Sequence, residues 1–143
     1  MTHKLRAAKG GKVLSFEQSG EFYLRSGMTK LDKNDLLGAM ASYRTALDKD
    51  PDNPEIILAI AEILTAMQRY DESNRLLMSR FGVDERPNEA FFGMGCNFMA
   101  QREYDQARMS FDKYLELEPE GEFAYSAYDM AESIDDGSAQ ELG

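Results

Sequence analysis

The chain has one cysteine, one histidine and no tryptophan. Because Cys96 stands alone, it cannot form an internal disulfide or a cysteine-based metal cluster, which suits a reducing compartment. His3 lies near the N-terminus, so no folded element supplies a histidine base for a nucleophile. Gly10 and Gly11 lack the residues that follow in a P-loop, so there is no glycine-rich phosphate site. These absences predict that the protein is not an enzyme and that it holds no metal or other cofactor.

Long apolar runs are also absent. No stretch approaches the roughly 18 apolar residues that a membrane-spanning helix needs, and the basic N-terminus lacks the apolar core of a signal peptide. The 143 residues are enough for one domain with a real core. We therefore expect a cytoplasmic protein that does not contact a membrane.

Basic residues are scarce relative to acidic ones, with 16 Lys and Arg against 26 Asp and Glu and a net charge of −10. The exception is the N-terminus, where Lys4, Arg6, Lys9 and Lys12 precede the first acid. An acidic surface repels phosphate backbones, so the composition disfavours nucleic-acid binding. The basic segment could contact an anionic surface, but such segments are more often solvated, and we expect a flexible tail over residues 1–14.

The most regular pattern lies between Asn88 and Gly121. Small or apolar residues occur first at the spacing of one helix face, i, i+3, i+4 and i+7: Phe91, Met94, Gly95 and Phe98. A second stripe of the same kind follows a short polar break: Tyr104, Ala107, Phe111 and Leu115. Pro119 cannot continue the second helix. The segment therefore predicts two helices, which the small residues Gly95 and Ala107 allow to cross closely.

The same pattern recurs along the chain at a fixed period, equal to the length of the segment 88–121. Three aligned sets illustrate it: Gly27, Ala61 and Gly95; Tyr43, Leu77 and Phe111; Pro51, Glu85 and Pro119. Nearly every position keeps its physical type through the copies. We therefore predict three repeats, over residues 20–53, 54–87 and 88–121.

This unit resembles the tetratricopeptide repeat, a helix–turn–helix motif of the same length. Between Phe91 and Pro119 an aromatic, a glycine, an aromatic, an alanine, an aromatic and a proline occur in the family's order. The resemblance implies an all-α, right-handed solenoid of antiparallel helix pairs with about seven helices. The last would be a capping helix over 122–135, because such arrays end in a solvating helix. The domain would then span 15–136, followed by a flexible tail over 137–143.

Local signals predict where several helices begin and end. Ser15 and Gln18 form a capping box that predicts the start of the first helix. Asn53 as N-cap and Pro54 as first helical residue predict the start of the third. We expect Gly82 to end the fourth helix early in a left-handed cap.

In the family, the first helix of each pair lines the concave surface through positions two, five, nine and twelve of the repeat. Applied to this chain and its end helix, that rule implies an apolar groove with an acidic edge. The peptide-binding residues that it implies are Leu24, Met28, Leu31, Leu58, Glu62, Thr65, Phe92, Cys96, Met99, Phe123 and Met130. Glu21, Glu55 and Glu89 occupy position two, although acids in a first turn more often favour the helix dipole alone.

Relatives that clamp a C-terminal carboxylate carry Lys, Arg and Asn at these positions, whereas this chain carries apolar and acidic residues. The resemblance therefore implies a non-catalytic interaction module or scaffold whose protein or peptide partner has apolar or basic character. Internal packing is the alternative for the apolar residues and the preferred interpretation for Cys96. A secretion-type chaperone and a structural self-association module that forms a homodimer are the alternative functions.

Overall fold

A computed structural model of the chain describes residues 4–6, 13–15 and 19–141, with side chains over 19–141. The chain divides into two compact units, Met1–Ile56 and Ile57–Gly143. Helices dominate both, which confirms the predicted all-α class. The only strands in the described ranges are two of three residues each, in the N-terminal unit.

The N-terminal unit contains a short hairpin and a helix pair. Strand β1 (Lys4–Arg6) pairs antiparallel with β2 (Val13–Ser15). Helix α1 (Gly20–Asp32) is followed by α2 (Leu36–Lys49). Part of the predicted N-terminal tail is therefore strand, and the rest of that tail falls outside the described residues.

Helix α1 begins later than the capping box predicts. Ser15 is the last residue of β2, and Ser19 is the N-cap, with its Oγ accepting a hydrogen bond from the Phe22 amide at 3.2 Å. Packing decides between the two serines. Gly20 is buried so tightly that a Cβ there would lie 2.9 Å from the Asp50 Cβ, which fixes the start of the packed helix. The predicted helix start at Ser15 is therefore wrong.

The C-terminal unit is built from six α-helices and one turn of 3₁₀ helix. Helix α3 (Pro54–Ala66) starts at the boundary between the units. The remaining elements are α4 (Tyr70–Arg80), the 3₁₀ turn (Val83–Glu85), α5 (Asn88–Ala100), α6 (Tyr104–Leu117), α7 (Ala124–Asp135) and α8 (Ser138–Glu141). At the start of α3, the Asn53 side chain accepts a hydrogen bond from the Glu55 amide at 2.9 Å, as the sequence predicts.

The turns inside the helix pairs repeat a single backbone geometry. Asn34, Gln68 and Arg102, which occupy the same position in successive repeats, have φ values of 62°, 62° and 61°. In the second of these turns, the Gln68 amide donates to the Thr65 carbonyl at 2.9 Å, and the next amide donates to the Leu64 carbonyl at 2.8 Å. These bonds satisfy carbonyls that the ends of the helices leave free. Each pair is thus closed by the same compact turn.

Close crossings hold each of two pairs together. In the N-terminal unit, a Cβ on Gly27 of α1 would overlap the ring of Tyr43 on α2. In the C-terminal unit, a Cβ on Gly95 of α5 would lie 2.5 Å from Cε1 of Phe111 on α6. Ala107 and Phe111 are fully buried. The small residues predicted at the crossing of α5 and α6 therefore lie at a close contact between these helices.

Two helix ends differ from expectation. Helix α4 ends early, but Gly82 has φ −63° and is not left-handed. Phe81 leaves the helix in an extended conformation, with its ring against the apolar core.

Residues 138–141, predicted as part of a flexible tail, form α8 instead. Ala139 of α8 is buried, and its carbonyl accepts a hydrogen bond from the Tyr104 hydroxyl at 3.4 Å.

Candidate functional site

A cavity of about 340 Å³ opens in the C-terminal unit, where α3, α4 and α5 meet. Apolar side chains form most of its wall, and Glu62 and Glu89 are the charged residues that line it. The full lining consists of Leu58, Ala61, Glu62, Thr65, Ser73, Leu77, Glu89, Ala90, Phe92, Gly93, Cys96 and Phe123. Because ligand pockets in proteins range from about 300 to 1,000 Å³, this cavity is large enough for an apolar side chain of a partner.

The structure brings six of the eleven predicted groove residues together at this cavity: Leu58, Glu62, Thr65, Phe92, Cys96 and Phe123. Met99 and Met130 are half-buried and pack against the core around Phe91 and Phe111. The other three predicted residues lie on α1 in the N-terminal unit. Of these, Leu24 is only 3% exposed, Leu31 is half-buried and Met28 is half exposed.

Of the other six lining residues, Glu89 occupies position two of the third repeat, where it is interpreted mainly as a helix-start acid, and five lie outside the predicted positions: Ala61, Ser73, Leu77, Ala90 and Gly93. The prediction used four positions of each first helix, so Ser73 and Leu77 on the second helix α4 could not enter it. Gly93 does carry a signal, since a glycine inside a helix costs stability and thus suggests a steric role. A Cβ there would lie 3.9 Å from Cδ1 of Leu77, which leaves open space beside α5.

An aromatic cluster forms one side of the cavity. The rings of Phe92 and Phe123 are stacked with centroids 4.7 Å apart and an interplanar angle of 10°. Phe92 also contacts Phe111 at 5.8 Å and Tyr114 at 5.7 Å. The Tyr114 hydroxyl accepts a hydrogen bond from the Phe123 amide at 3.1 Å, which fixes the entrance of α7. Phe92 is therefore both a cavity wall and part of the core.

A buried polar network forms the floor. The Thr65 hydroxyl donates to Oδ1 of Asn97 at 2.7 Å, and Nδ2 of Asn97 donates to Oγ of Ser73 at 3.0 Å and Oδ1 of Asn74 at 2.8 Å. Ser73 donates in turn to the Ala61 carbonyl at 2.8 Å. Asn97 has no exposed surface. The network thus connects α3, α4 and α5 through hydrogen bonds next to the cavity.

Burial also determines the reactivity of the thiol in the cavity wall. Burial raises the pKa of the Cys96 thiol to about 11, so the thiol stays protonated near neutral pH and is a poor nucleophile. Within residues 19–141, no group of three or more His, Cys, Asp or Glu side chains is arranged to hold a metal ion. In the same part of the chain, no helix combines the length and the apolar character needed to cross a bilayer.

The relatives of this chain by sequence are repeat proteins. Two family models, both described as tetratricopeptide repeat, match residues 30–79 and 89–121, which together are more than half of the chain. The TPR repeat-containing protein YvcD of Bacillus subtilis is 24% identical over 135 residues, which are 92% of this chain and 28% of that protein. The chain thus spans less than a third of this relative's length.

Several solved structures have the same fold. The type III secretion translocator chaperone SycD of Yersinia enterocolitica has a TM-score of 0.76 at 15% identity, covering 83% of this chain and 93% of that one. The first TPR domain of RPAP3, solved with an HSP90 peptide, SRMEEVD, has a TM-score of 0.75 at 18% identity, covering 85% and 97%. At these identities the likeness shows the fold alone.

Proposed function

Because the chain belongs to the tetratricopeptide repeat family, we propose that it is a non-catalytic interaction module that binds a segment of a protein partner. The proposed site is the cavity between α3, α4 and α5, where an apolar side chain of the partner would be buried. The observation that carries this proposal is the 340 Å³ apolar cavity with Leu58, Phe92 and Phe123 in its wall. A cytoplasmic location is also proposed, supported by the single cysteine.

Charge supports an apolar or basic partner over an acidic one. Glu62 and Glu89 line the cavity, both are exposed, and no basic side chain joins them in its lining. The HSP90 peptide bound by the RPAP3 domain contains two glutamates, an aspartate and one arginine, so its acidic side chains outnumber its basic one. A segment of that composition would meet like charge at this cavity, which costs binding energy and slows association. The proposed partner is therefore a helix or extended peptide with an apolar anchor.

The sharpest test fills the cavity without removing any native contact. Gly93→Leu adds a side chain where a Cβ has space, whereas Gly93→Ala makes the same backbone change but leaves most of the cavity free. Peptides would be selected from a random display library on the purified wild-type protein, and their affinities then measured for all three proteins. We expect Gly93→Leu to weaken binding at least about tenfold and Gly93→Ala to change it little.

Two outcomes of that experiment would refute the proposed site. Selection of peptides without large apolar residues, or equal affinity for the wild type and Gly93→Leu, would refute the cavity as the site. Far-ultraviolet circular dichroism on each variant checks that the helices are retained.

Leu58→Glu is a second probe, because Leu58 is a half-buried wall residue and a carboxylate there would make burial of the apolar anchor unfavourable. Phe92→Glu is less specific, since Phe92 also supports the aromatic cluster.

Self-association is the second candidate, and one observation favours it. Tyr125 and Tyr128 lie one turn apart on α7 and are 85% and 54% exposed. Exposed aromatic residues at such spacing are typical of protein contacts. Light scattering over a range of protein concentrations decides this question. A dimer that Tyr125→Ser and Tyr128→Ser abolish would support self-association, and a monomer throughout would eliminate it.

A further inference from the structure

We propose that the partner segment carries an arginine next to its apolar anchor and that this arginine binds in a second cleft beside the cavity. This inference rests on the proposed function and specifies the partner's chemistry. The second cleft, which we call the acidic cleft, has a volume of about 280 Å³. Its lining residues are Glu89, Tyr114, Glu118, Glu122 and Phe123.

The acidic cleft and the cavity share two lining residues, Glu89 and Phe123. A partner segment whose apolar side chain enters the cavity therefore passes the acidic cleft within the reach of a long side chain. The two sites differ in character, since one wall is mostly apolar and the other holds three carboxylates. Together they fit a segment with an apolar residue and a cationic residue close in sequence.

The three carboxylates of the acidic cleft have no cation of their own. Within residues 19–141, none of Glu89, Glu118 and Glu122 forms an ion pair. The carboxylate of Glu118 accepts a long hydrogen bond from Nδ2 of the Asn88 side chain, at 3.3 Å. Other acids on this unit do have a basic partner, as Asp135 has in Arg108 at 3.0 Å and Glu72 in Arg69 at 2.6 Å. Uncompensated like charges around one concave surface raise its negative potential, and a bound cation would relieve their repulsion.

The arrangement suits a guanidinium better than a metal ion. The residues of the acidic cleft are not among any group arranged to coordinate a metal within residues 19–141. Phe123 contributes a half-buried aromatic ring to the wall, and Tyr114 lies buried beside it, with its hydroxyl already engaged by the Phe123 amide. A guanidinium can stack on an aromatic face while its fork of N–H groups binds carboxylates, and an ammonium makes neither contact as well. We therefore expect arginine to bind more tightly than lysine.

The test uses short synthetic peptides with blocked ends. Each contains one leucine or phenylalanine, followed at varied spacing by arginine, lysine or citrulline, with serine and alanine elsewhere. Citrulline keeps the shape of arginine without its charge. Affinity would be measured by fluorescence anisotropy with the full chain, at low and high salt. At the best spacing we expect arginine peptides to bind about tenfold more tightly than citrulline peptides, with lysine between them.

Two triple variants, each of which removes three negative charges, show whether the preference for arginine depends on the acidic cleft. Glu89→Gln, Glu118→Gln and Glu122→Gln together neutralise the acidic cleft. Asp105→Asn, Asp129→Asn and Glu132→Gln neutralise three exposed acids outside both clefts. The first variant should abolish the preference for arginine over citrulline, and the second should retain most of it. The preference should also shrink as salt is raised, because exposed ion pairs are screened.

Three results would overturn the inference. If citrulline and arginine peptides bind the wild type equally, the arginine site is refuted while the apolar cavity remains the proposed site. If the first triple variant weakens both peptides by the same factor, the carboxylates act on the fold and not on arginine. If no peptide with an apolar anchor binds, and selection from the random library also fails, both the inference and the proposed function are refuted.

Discussion

The second and third repeats build the same helix crossing with different side chains, and in the second repeat this crossing borders the cavity. In the third repeat, Gly95 lies against the ring of Phe111, which is fully buried. The equivalent residues of the second repeat are Ala61 and Leu77, which share one core cluster and also line the cavity. Leucine is smaller and narrower than phenylalanine. The comparison therefore indicates that the smaller side chain of Leu77 leaves more space at the crossing of the second repeat, next to the cavity.

A second difference concerns polarity at the floor of the site. Ile63 in the second repeat and Asn97 in the third occupy equivalent positions, and both have no exposed surface. Ile63 has an apolar side chain, whereas the side chain of Asn97 forms hydrogen bonds with Thr65 and Ser73. Asn97 of the third repeat thus makes buried polar contacts with residues of the second repeat. Substitutions that exchange features between the two repeats test these interpretations.

The largest effect is expected when Asn97 is replaced by the residue of the second repeat. Asn97→Ile removes three side-chain hydrogen bonds and leaves the buried side-chain carbonyl of Asn74 without that partner, whereas the Thr65 hydroxyl still donates to the Ala61 carbonyl at 3.1 Å. A side-chain hydrogen bond contributes about 1 kcal/mol, so the free energy of unfolding should fall by roughly 3 kcal/mol. Urea denaturation measures this change. Asn88→Ala is the control, because Asn88 makes one long side-chain bond at 3.3 Å and should cost well under half as much. Equal losses in both variants would contradict the role of the network.

A smaller loss of stability is expected when a side chain is added where α5 and α6 cross in the third repeat. A Cβ at Gly95 would lie 2.5 Å from the Phe111 ring, so Gly95→Ala should destabilise the protein by about 2 kcal/mol. Gly93→Ala makes the same change two residues away, where the nearest neighbour of the Cβ would be 3.9 Å distant. That variant should be neutral or more stable by up to about 1 kcal/mol, because alanine favours a helix over glycine. Thermal melts of both proteins compare them directly, and equal destabilisation would refute the crossing as the cause.

The next experiment gives the second repeat the crossing of the third. Ala61→Gly with Leu77→Phe reproduces the pair Gly95 and Phe111, and the larger ring should occupy part of the cavity. We expect stability to change by no more than about 1 kcal/mol, since the volume added fills existing space. Binding of a selected apolar peptide should weaken about tenfold. If the variant is stable and binds the peptide as tightly as the wild type, the cavity is not the binding site.

The last prediction depends on pH and concerns Cys96, which lies in the cavity wall. Its pKa is raised by burial from 9.0 to about 11. Below the unfolded value both states hold the proton, so this contribution to stability is complete there, and it is lost as pH rises towards the folded value. The stability difference between the wild type and Cys96→Ala should therefore shift against the wild type between these two pH values. A difference that stays constant across this interval would contradict the burial of the thiol.

The sequence was sufficient to predict features that repeat and insufficient for those that do not. Gly95 and Phe111 lie on helix-spaced stripes that recur in each repeat, so their crossing could be predicted from spacing alone. Asn97 could not be predicted as a network residue, because a single polar residue beside an apolar stripe does not reveal its partners on other helices. Ser73 and Leu77 were missed for a related reason, since the family rule for the concave surface names only first helices.

Helix ends show the same limit. Ser15 and Ser19 can both act as an N-cap. The helix starts at Ser19, where the following residue, Gly20, is buried against the end of α2. Gly82 offers a left-handed cap, but Phe81 packs on the core and leaves α4 in an extended conformation. In both places tertiary packing overrides a local signal. The acidic cleft belongs to this class too, because Glu89, Glu118 and Glu122 come together only in the folded unit.

The most direct test of the central claim is a map of amide chemical shifts as a selected apolar peptide is added to the isotopically labelled protein. Our account predicts the largest changes at the cavity wall, at Leu58, Gly93 and the neighbouring amides of α3 and α5. The Gly93→Leu variant should lose these changes, while Gly93→Ala should keep them. Changes confined to the exposed face of α7 around Tyr125 and Tyr128, with the cavity amides unaffected, would contradict it.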